Sequence, residues 1–225
     1  MKISSLQKGL VGHWTMSQDS LKGSLLADKT PYGNDGTIYG ATFTTDRKGK
    51  ANSAMSFDGN DYIDCGNDDS LNITEAITIS YWVKYISGGE LGLAKNWNEW
   101  RFMKGYTLSI YNMIGGNYSN WSVSFIPVVG TWYHLTYSYD GSNQKFFLNG
   151  ELKNTDSKTG SLLSSSRNLY IGAYPSGNSF TGSIADVRIY NRALSETEIK
   201  TLYDSYNPNI KIKTSLPKIK LYGGD

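Results

Sequence analysis

Between Asn96 and Trp121 the sequence sets seven aromatic residues among five asparagines. The aromatics are Trp97, Trp100, Phe102, Tyr106, Tyr111, Tyr118 and Trp121, and the amides are Asn96, Asn98, Asn112, Asn117 and Asn120. An aromatic face receives the C–H patch of a sugar ring, and an amide meets its hydroxyls. Trp97, Trp100, Tyr118 and Trp121 are therefore the candidate ligand-binding residues. The same mixture suits a protein interface rich in Tyr and Trp, or the interior of a sheet. A second segment, Asp28-Lys29-Thr30-Pro31-Tyr32-Gly33-Asn34-Asp35-Gly36, gathers carboxylate, amide and glycine. Ca²⁺ takes six to eight oxygens from such groups, often in a tight Gly-containing loop. An Asx-rich turn without metal has the same composition.

Catalytic chemistry finds little to work with. The histidines are His13 and His134, and Cys65 beside His134 would form no recognisable motif. Asp58, Asp61, Asp64, Asp68 and Asp69 sit in or around turns, Glu90 and Glu99 are isolated, and Glu196 and Glu198 open a helix. No catalytic residue is expected, and the chain reads as a protein that is not an enzyme.

The elements that carry these residues are strands. A chain of 225 residues with 24 Gly, 17 Tyr and 39% apolar content suits many short strands joined by turns. Asp140-Gly141 and Asn149-Gly150 lie between alternating aromatic runs in Gly130–Leu152. Such dipeptides are strong hairpin signals because type I′ turns need positive φ. Three antiparallel strands follow from them. Further strands are expected over Leu10–Met16, Ala54–Phe57, Tyr62–Cys65 and Ile77–Tyr85. The remaining strand segments are Leu91–Leu93, Trp100–Lys104, Tyr106–Asn112, Trp121–Phe125, Leu169–Ala173 and Ser183–Tyr190, while Ala27–Tyr39 is a turn-rich loop leading into a short strand. One helix is expected, over Ser195–Tyr206. Ser195-Glu196-Thr197-Glu198 is a capping box, and Ile199, Leu202, Tyr203 and Tyr206 make an apolar stripe.

Net charge is +2, so no global field recruits nucleic acid or membrane. A single cysteine rules out an intrachain disulfide. No apolar run is long enough for a signal peptide or a membrane span, so no membrane insertion is expected. The basic charge gathers at the end: Lys211, Lys213, Lys218 and Lys220 against Asp225 give residues 207–225 a net +3. Within 209–225 Ile210, Ile212, Ile219 and Leu221 alternate with lysines. That pattern reads either as a solvated tail or as an arm that pairs with a sheet edge of a neighbouring subunit.

Three blocks carry a family resemblance: AMSFDGNDYIDCG, GTWYHLTYSYDG with KFFLNGEL, and IADVRIYNRALSETEI. Their order and wording resemble the laminin-G-like jelly-roll domains of the concanavalin A-like lectin/glucanase superfamily, over roughly residues 9–206. The resemblance implies an all-β fold, an antiparallel β-sandwich of jelly-roll topology with one short C-terminal helix. It divides the chain into a sandwich, 1–206, and an extended basic arm, 207–225. In many such domains a structural Ca²⁺ bridges the Asx-rich loop to the last strand. Carried over residue by residue, its ligands would be Asp28, Asn34, Gly36 and Asp186. Pro31-Tyr32 and Ala185 depart from the family pattern. Family members also keep a buried histidine at the position of His134. Glucanase relatives carry carboxylates at alternate positions of one strand, which this chain lacks.

The function expected is a non-catalytic binding or structural module. One reading is a virion or assembly-surface protein, such as a phage decoration or fibre component. It would be held to other subunits by residues 209–225 and would display a face for a cell-surface glycan. It rests on the absence of a signal peptide and disulfide, and on a start close to the first strand, as in a complete small gene product. The alternative is a secreted or cell-surface carbohydrate-binding module of a larger enzyme or adhesin, placed outside the cell.

Overall fold

The computed structural model describes residues 3–88, 90–95, 100–104, 108–164, 166–172 and 180–206. The stretch 209–225, and with it the expected pairing with a neighbouring subunit, lies outside the described residues. In chain order the strands begin with β1 Leu10–Trp14, β2 Leu21–Lys22, β3 Leu25–Leu26, β4 Gly36–Tyr39 and β5 Thr42–Thr44. Next come β6 Ala54–Asp58, β7 Tyr62–Asp64, β8 Ile77–Gly88, β9 Glu90–Lys95, β10 Trp100–Lys104 and β11 Leu108–Ile114. They end with β12 Asn117–Val123, β13 Trp132–Tyr139, β14 Asn143–Leu148, β15 Glu151–Ser157, β16 Leu169–Gly172 and β17 Phe180–Tyr190. The α-helix among the described residues, α1, is Glu196–Ser205.

Two antiparallel sheets form the sandwich. The first runs β15-β14-β13-β8-β17-β6-β5, with β1 also on β17; the second runs β12-β11-β10-β9-β16-β7-β4-β3-β2. Alternation along each strand decides which side chains meet between them. Ile77, Ile79, Tyr81 and Val83 of β8 enter the core, as do Leu135, Tyr137 and Tyr139 of β13. The second sheet supplies Ile63, Leu93, Phe102, Leu108, Ile110, Leu169 and Ile171. Asn112 is one of the buried polar residues, and its amide donates to Tyr137 Oη at 3.0 Å and Gln144 Oε1 at 2.9 Å.

The turns explain where the strands begin and end. Asn149 and Gly150 take φ 53° and 78°, as a type I′ turn requires, and Asn149 Oδ1 accepts from His134 N–H at 2.9 Å. At Asp140-Gly141 only the glycine is left-handed, φ 91°, and the Asp140 carboxylate instead accepts from the N–H groups of Ser142 and Asn143. A third tight turn, Gly115-Gly116 with φ 58° and 73°, joins β11 to β12. It moves both strands inward from the expected Tyr106–Asn112 and Trp121–Phe125. Asn117–Asn120, outside the expected strands, is thereby part of β12.

On the outer side of the first sheet, α1 begins with the expected capping box. Ile199 and Leu202 are fully buried in a satellite core with Leu6, Leu10, Phe147, Tyr190 and Leu194. Arg192 locks this corner. Its guanidinium donates to both Glu198 carboxylate oxygens at 2.8 and 2.9 Å, and to the carbonyls of Ser5 and Lys8. The Arg192 hydrogen bond is the main reason the Glu198 carboxyl falls to about 2; burial opposes this, and Ser195 N–H and the guanidinium charge add to it. A depressed carboxyl stabilises the fold above its unfolded value near 4.5 and loses that contribution as pH falls towards 2. Glu198→Gln should therefore be less stable than the parent at pH 7, with the gap closing below pH 4.5; denaturant unfolding at several pH values measures it. A gap that stays constant down to pH 2 would contradict this account.

Candidate functional site

The outer face of the second sheet carries a band of tyrosines fixed by strand register. In β4, β7 and β16 an isoleucine points into the sandwich while its neighbours point out: Thr37 and Tyr39, Tyr62 and Asp64, Tyr170. The ladder places Tyr170 opposite Asp64, Asp64 opposite Thr37, and Tyr62 opposite Tyr39. Tyr39 stacks on Tyr62 with centroids 4.6 Å apart and planes at 21°. Tyr62 meets Tyr170 edge-on at 5.8 Å. The Asp64 carboxylate accepts from the Asn168 amide at 2.9 and 3.0 Å and from Gly66 N–H at 2.9 Å. About four lone-pair sites belong to a carboxylate, so capacity remains for a ligand hydroxyl. Half-exposed Tyr39, at 47%, completes a platform of ring face, phenol and carboxylate on rigid strands.

This row continues through the register to the far edge of the sheet. Tyr170 lies opposite Ala94, Ala94 opposite Arg101, Arg101 opposite Tyr111, and Tyr111 opposite Asn120. Tyr111 and Tyr118 approach at 5.8 Å, and Tyr118 is 49% exposed. Of the four aromatics expected to bind ligand, Tyr118 thus stands on the open face. Trp121 lies opposite Ile110 on the other face, part-buried against the core. Trp100 lies opposite Asn112 in the ladder, with its side chain outside what is described, and Trp97 lies outside the described residues. Tyr39, Tyr62 and Tyr170 were not among the expected site residues. Each sits in a short apolar-alternating run, but only the pairing of β4, β7 and β16 brings them together.

Catalytic groups do not converge here. Among the described residues no strand bears two carboxylates at alternate positions. His134 is buried, with Nε2 on Ser80 Oγ at 2.8 Å. Burial, helped by the charges of Arg47 and Arg188 and opposed by Asp186, lowers its pKa to about 3. It is a neutral interior residue above that pH. Cys65 is buried beside the second sheet, away from His134 in the first, and burial pushes its thiol well up.

The Asx-rich loop and the last strand are joined through His13. The Asp28 carboxylate accepts four hydrogen bonds: from His13 N–H at 2.9 Å, Thr30 N–H at 3.0 Å, Thr30 Oγ1 at 2.6 Å and Asn34 N–H at 3.0 Å. Asn34 donates through Nδ2 to Val11 O and Ser70 Oγ, and its carbonyl accepts from Trp14 Nε1 at 2.7 Å. Gly36 is needed for close packing, since a Cβ there would run into Ile63. The imidazole of His13 then meets Asp186 at 2.6 Å, and Arg188 donates to both Asp186 oxygens at 3.1 and 3.2 Å. Burial alone would raise the Asp186 carboxyl; the His13 hydrogen bond and the Arg188 charge outweigh it and hold it low. Among the described residues no group of three or more His, Cys, Asp or Glu is placed to hold a metal ion. As arranged, these side chains do not fit Ca²⁺, which would have to displace donors from Asp28 and a guanidinium from Asp186. Asp28→Asn should cost about 1.5–3 kcal/mol, typical of hydrogen bonds to a charged group, equally in EDTA and in excess Ca²⁺. Denaturant midpoints in the two buffers measure this; a parent stabilised by Ca²⁺ and a variant that is not would restore the metal reading.

With this geometry in place, comparisons with known proteins locate the chain. A sequence model of the concanavalin A-like lectin/glucanases superfamily matches residues 57–200. A search of curated proteins found no match. Among solved structures the chain is similar to domain 4 of AbnA, a GH43 extracellular arabinanase from Geobacillus stearothermophilus, solved in complex with arabinotriose. Identity is 21% and the TM-score 0.67, over 86% of this chain and 98% of that one. It is also similar to the binding domain of Paraclostridial Mosquitocidal Protein 1, at 16% identity and TM-score 0.70, over 89% and 53%. A third is botulinum neurotoxin type C, whose cell entry depends on interaction with two ganglioside molecules. Identity there is 15% and the TM-score 0.68, over 91% and 53%. The chain spans about half the length of those two toxin chains. These likenesses share the jelly-roll sandwich, and the chain belongs to the laminin-G-like domains of the concanavalin A-like lectin/glucanase superfamily.

Proposed function

We propose that this domain is a non-catalytic carbohydrate-binding module that receives a glycan on the tyrosine face of its second sheet. The observation that carries the reading is the Tyr39–Tyr62–Tyr170 cluster beside Asp64. Ring faces supply apolar contact to sugar C–H groups, and the Asp64 and phenol oxygens supply directional hydrogen bonds. The arabinotriose bound to the similar arabinanase domain, and the gangliosides used by the similar neurotoxin, support carbohydrate as the ligand class. That no described strand bears two carboxylates at alternate positions supports binding without turnover. The virion-surface reading, whose subunit contact would be residues 209–225 outside the described residues, gains no support from the matched family or the similar structures. An extracellular setting, where glycans are displayed, follows from the carbohydrate reading.

A glycan array followed by titration of the strongest hit tests the proposal. Tyr39→Ala and Tyr62→Ala should each weaken binding by about 2 kcal/mol or more, as central aromatic contacts do, which is about thirtyfold in Kd. Tyr39→Ala, at a half-exposed position, should change stability by less than about 1 kcal/mol. Unchanged affinity in both variants would remove the tyrosine face as the site.

A further inference from the structure

The first sheet carries a separate open cleft of about 270 Å³, lined mostly by polar and charged residues, on the opposite side of the sandwich from the tyrosine face. It lies where β1, β17, the β5–β6 hairpin and the end of α1 meet. Its walls hold four cationic side chains, Arg47, Lys48, Lys50 and Arg188, against two acids, Asp46 and Asp186, and Lys50 also pairs with Asp19 at 3.6 Å. Both acids are already engaged. Asp186 is held by His13 and Arg188, and Asp46 Oδ1 turns into its own loop to accept from Lys48 N–H at 2.8 Å and Lys50 N–H at 2.9 Å.

Arg47 is the preorganised member. Its guanidinium carbon lies 4.0 Å from the Trp82 ring centroid and 4.7 Å from that of Tyr206, and one nitrogen reaches the Tyr206 carbonyl at 3.5 Å. Two aromatic faces therefore fix its plane while leaving most of its five N–H donors uncommitted. Among the described residues neither Arg47 nor Lys48 makes an ion pair. Hydroxyls of Thr15, Ser17 and Ser53 line the same cleft. A fixed guanidinium and an exposed ammonium, with the Ser17 hydroxyl beside them, match a compact oxyanion, which accepts bidentate bonds from Arg; Thr15 and Ser53 are bonded to Ser20 and to the Ala51 carbonyl.

We propose that this cleft is an anion site for a carboxylate, sulfate or phosphate group, with Arg47 as the fork and Lys48 as the second charge. The group can be a free ion or the acidic terminus of a larger glycan. The two sources share one chemistry and separate on measurement.

The test is an NMR titration of the full chain with sodium sulfate, sodium phosphate, a glucuronic-acid-terminated disaccharide and its neutral glucose-terminated counterpart. Saturable shifts at His13 and residues 45–53 are expected with at least one acidic probe and not with the neutral one. An acidic disaccharide that binds more tightly than the ions identifies a glycan terminus; equal or better binding of the ions identifies a free anion. Arg47→Met keeps bulk against Trp82 and should weaken the acidic probe about tenfold or more. Lys48→Gln, at an exposed position, should weaken it several-fold even if Arg47→Met folds poorly. Tyr39→Ala should leave it unchanged, so this site and the tyrosine face fail independently. No saturable shift with any acidic probe, or parental affinity in Lys48→Gln and in a folded Arg47→Met, would overturn the proposal.

Discussion

Strand β17 pairs with β8 along one edge, while along the other it pairs with β6 through Ile184 and with β1 from Val187. Between the two partners the ladder slips and Asp186 adopts φ 47°. A left-handed non-glycine residue costs roughly 1–2 kcal/mol. The side chain that incurs this cost also supplies the remedy. Asp186 accepts from His13 on β1 and from Arg188 on its own strand. Charge-assisted bonds of this kind contribute about 1.5–3 kcal/mol each, so the bulge is sustained. Without it β1 could not take up the second half of β17, and the loop that β1 anchors through His13 would lose its attachment.

The bulge also decides which surfaces remain for binding. Because β1 and β17 meet there, the chain leaves β17 at Tyr190 pointed towards Arg192 and the capped start of α1. The helix then covers the outer side of the first sheet, with Tyr203 stacked on Trp82 at 5.7 Å and Tyr206 edge-on at 5.8 Å. Beneath them His134 stays buried and neutral. Among the described residues no helix covers β4, β7 and β16, and Tyr39 there is half-exposed, with Tyr62 and Tyr170 partly so. The outer face of one sheet is used for packing, while the other carries the aromatic face proposed for a glycan, since an antiparallel sheet can leave one face to water.

Local pattern made much of this legible. The alternation in Ile77–Tyr85 and the Asn149-Gly150 turn are backbone requirements written into adjacent residues, and so is the Ser195–Glu198 box. The Gly115-Gly116 turn is equally local, yet the expected strands stop at Asn112 and restart at Trp121, short of the ends at Ile114 and Asn117 that the turn allows. The tyrosine face was hidden for a different reason. Tyr39, Tyr62 and Tyr170 are brought side by side by ladders between β4, β7 and β16, and no spacing within one strand reveals which strand becomes its neighbour. Dense aromatics near Trp97–Trp121 drew attention instead, although alternation sends Trp121 and Tyr118 to opposite faces. Asp28 and Asp186 were singled out on resemblance, and His13, which joins them, was not.

The His13 junction shows how the same geometric task can be met by different charges. Two carboxylates near one another need positive charge or donors, or one of them takes up a proton. A divalent cation can serve both at once. Here the work is divided: Asp28 is neutralised by dipoles, three N–H groups and the Thr30 hydroxyl, and Asp186 by the full charge of Arg188. His13 spans the gap with its backbone facing one acid and its ring facing the other. Dipoles in a tight loop act only at contact distance, so the Asp28 loop must hold its shape for the charge to stay satisfied. That makes Gly36, with no room for a Cβ against Ile63, part of the electrostatics as well as the packing. A displaced β4 would pull Asn34 N–H from Asp28 and shift the stacking of Tyr39 on Tyr62. The proposed glycan face and the buried carboxylate are thereby held to the same short strand.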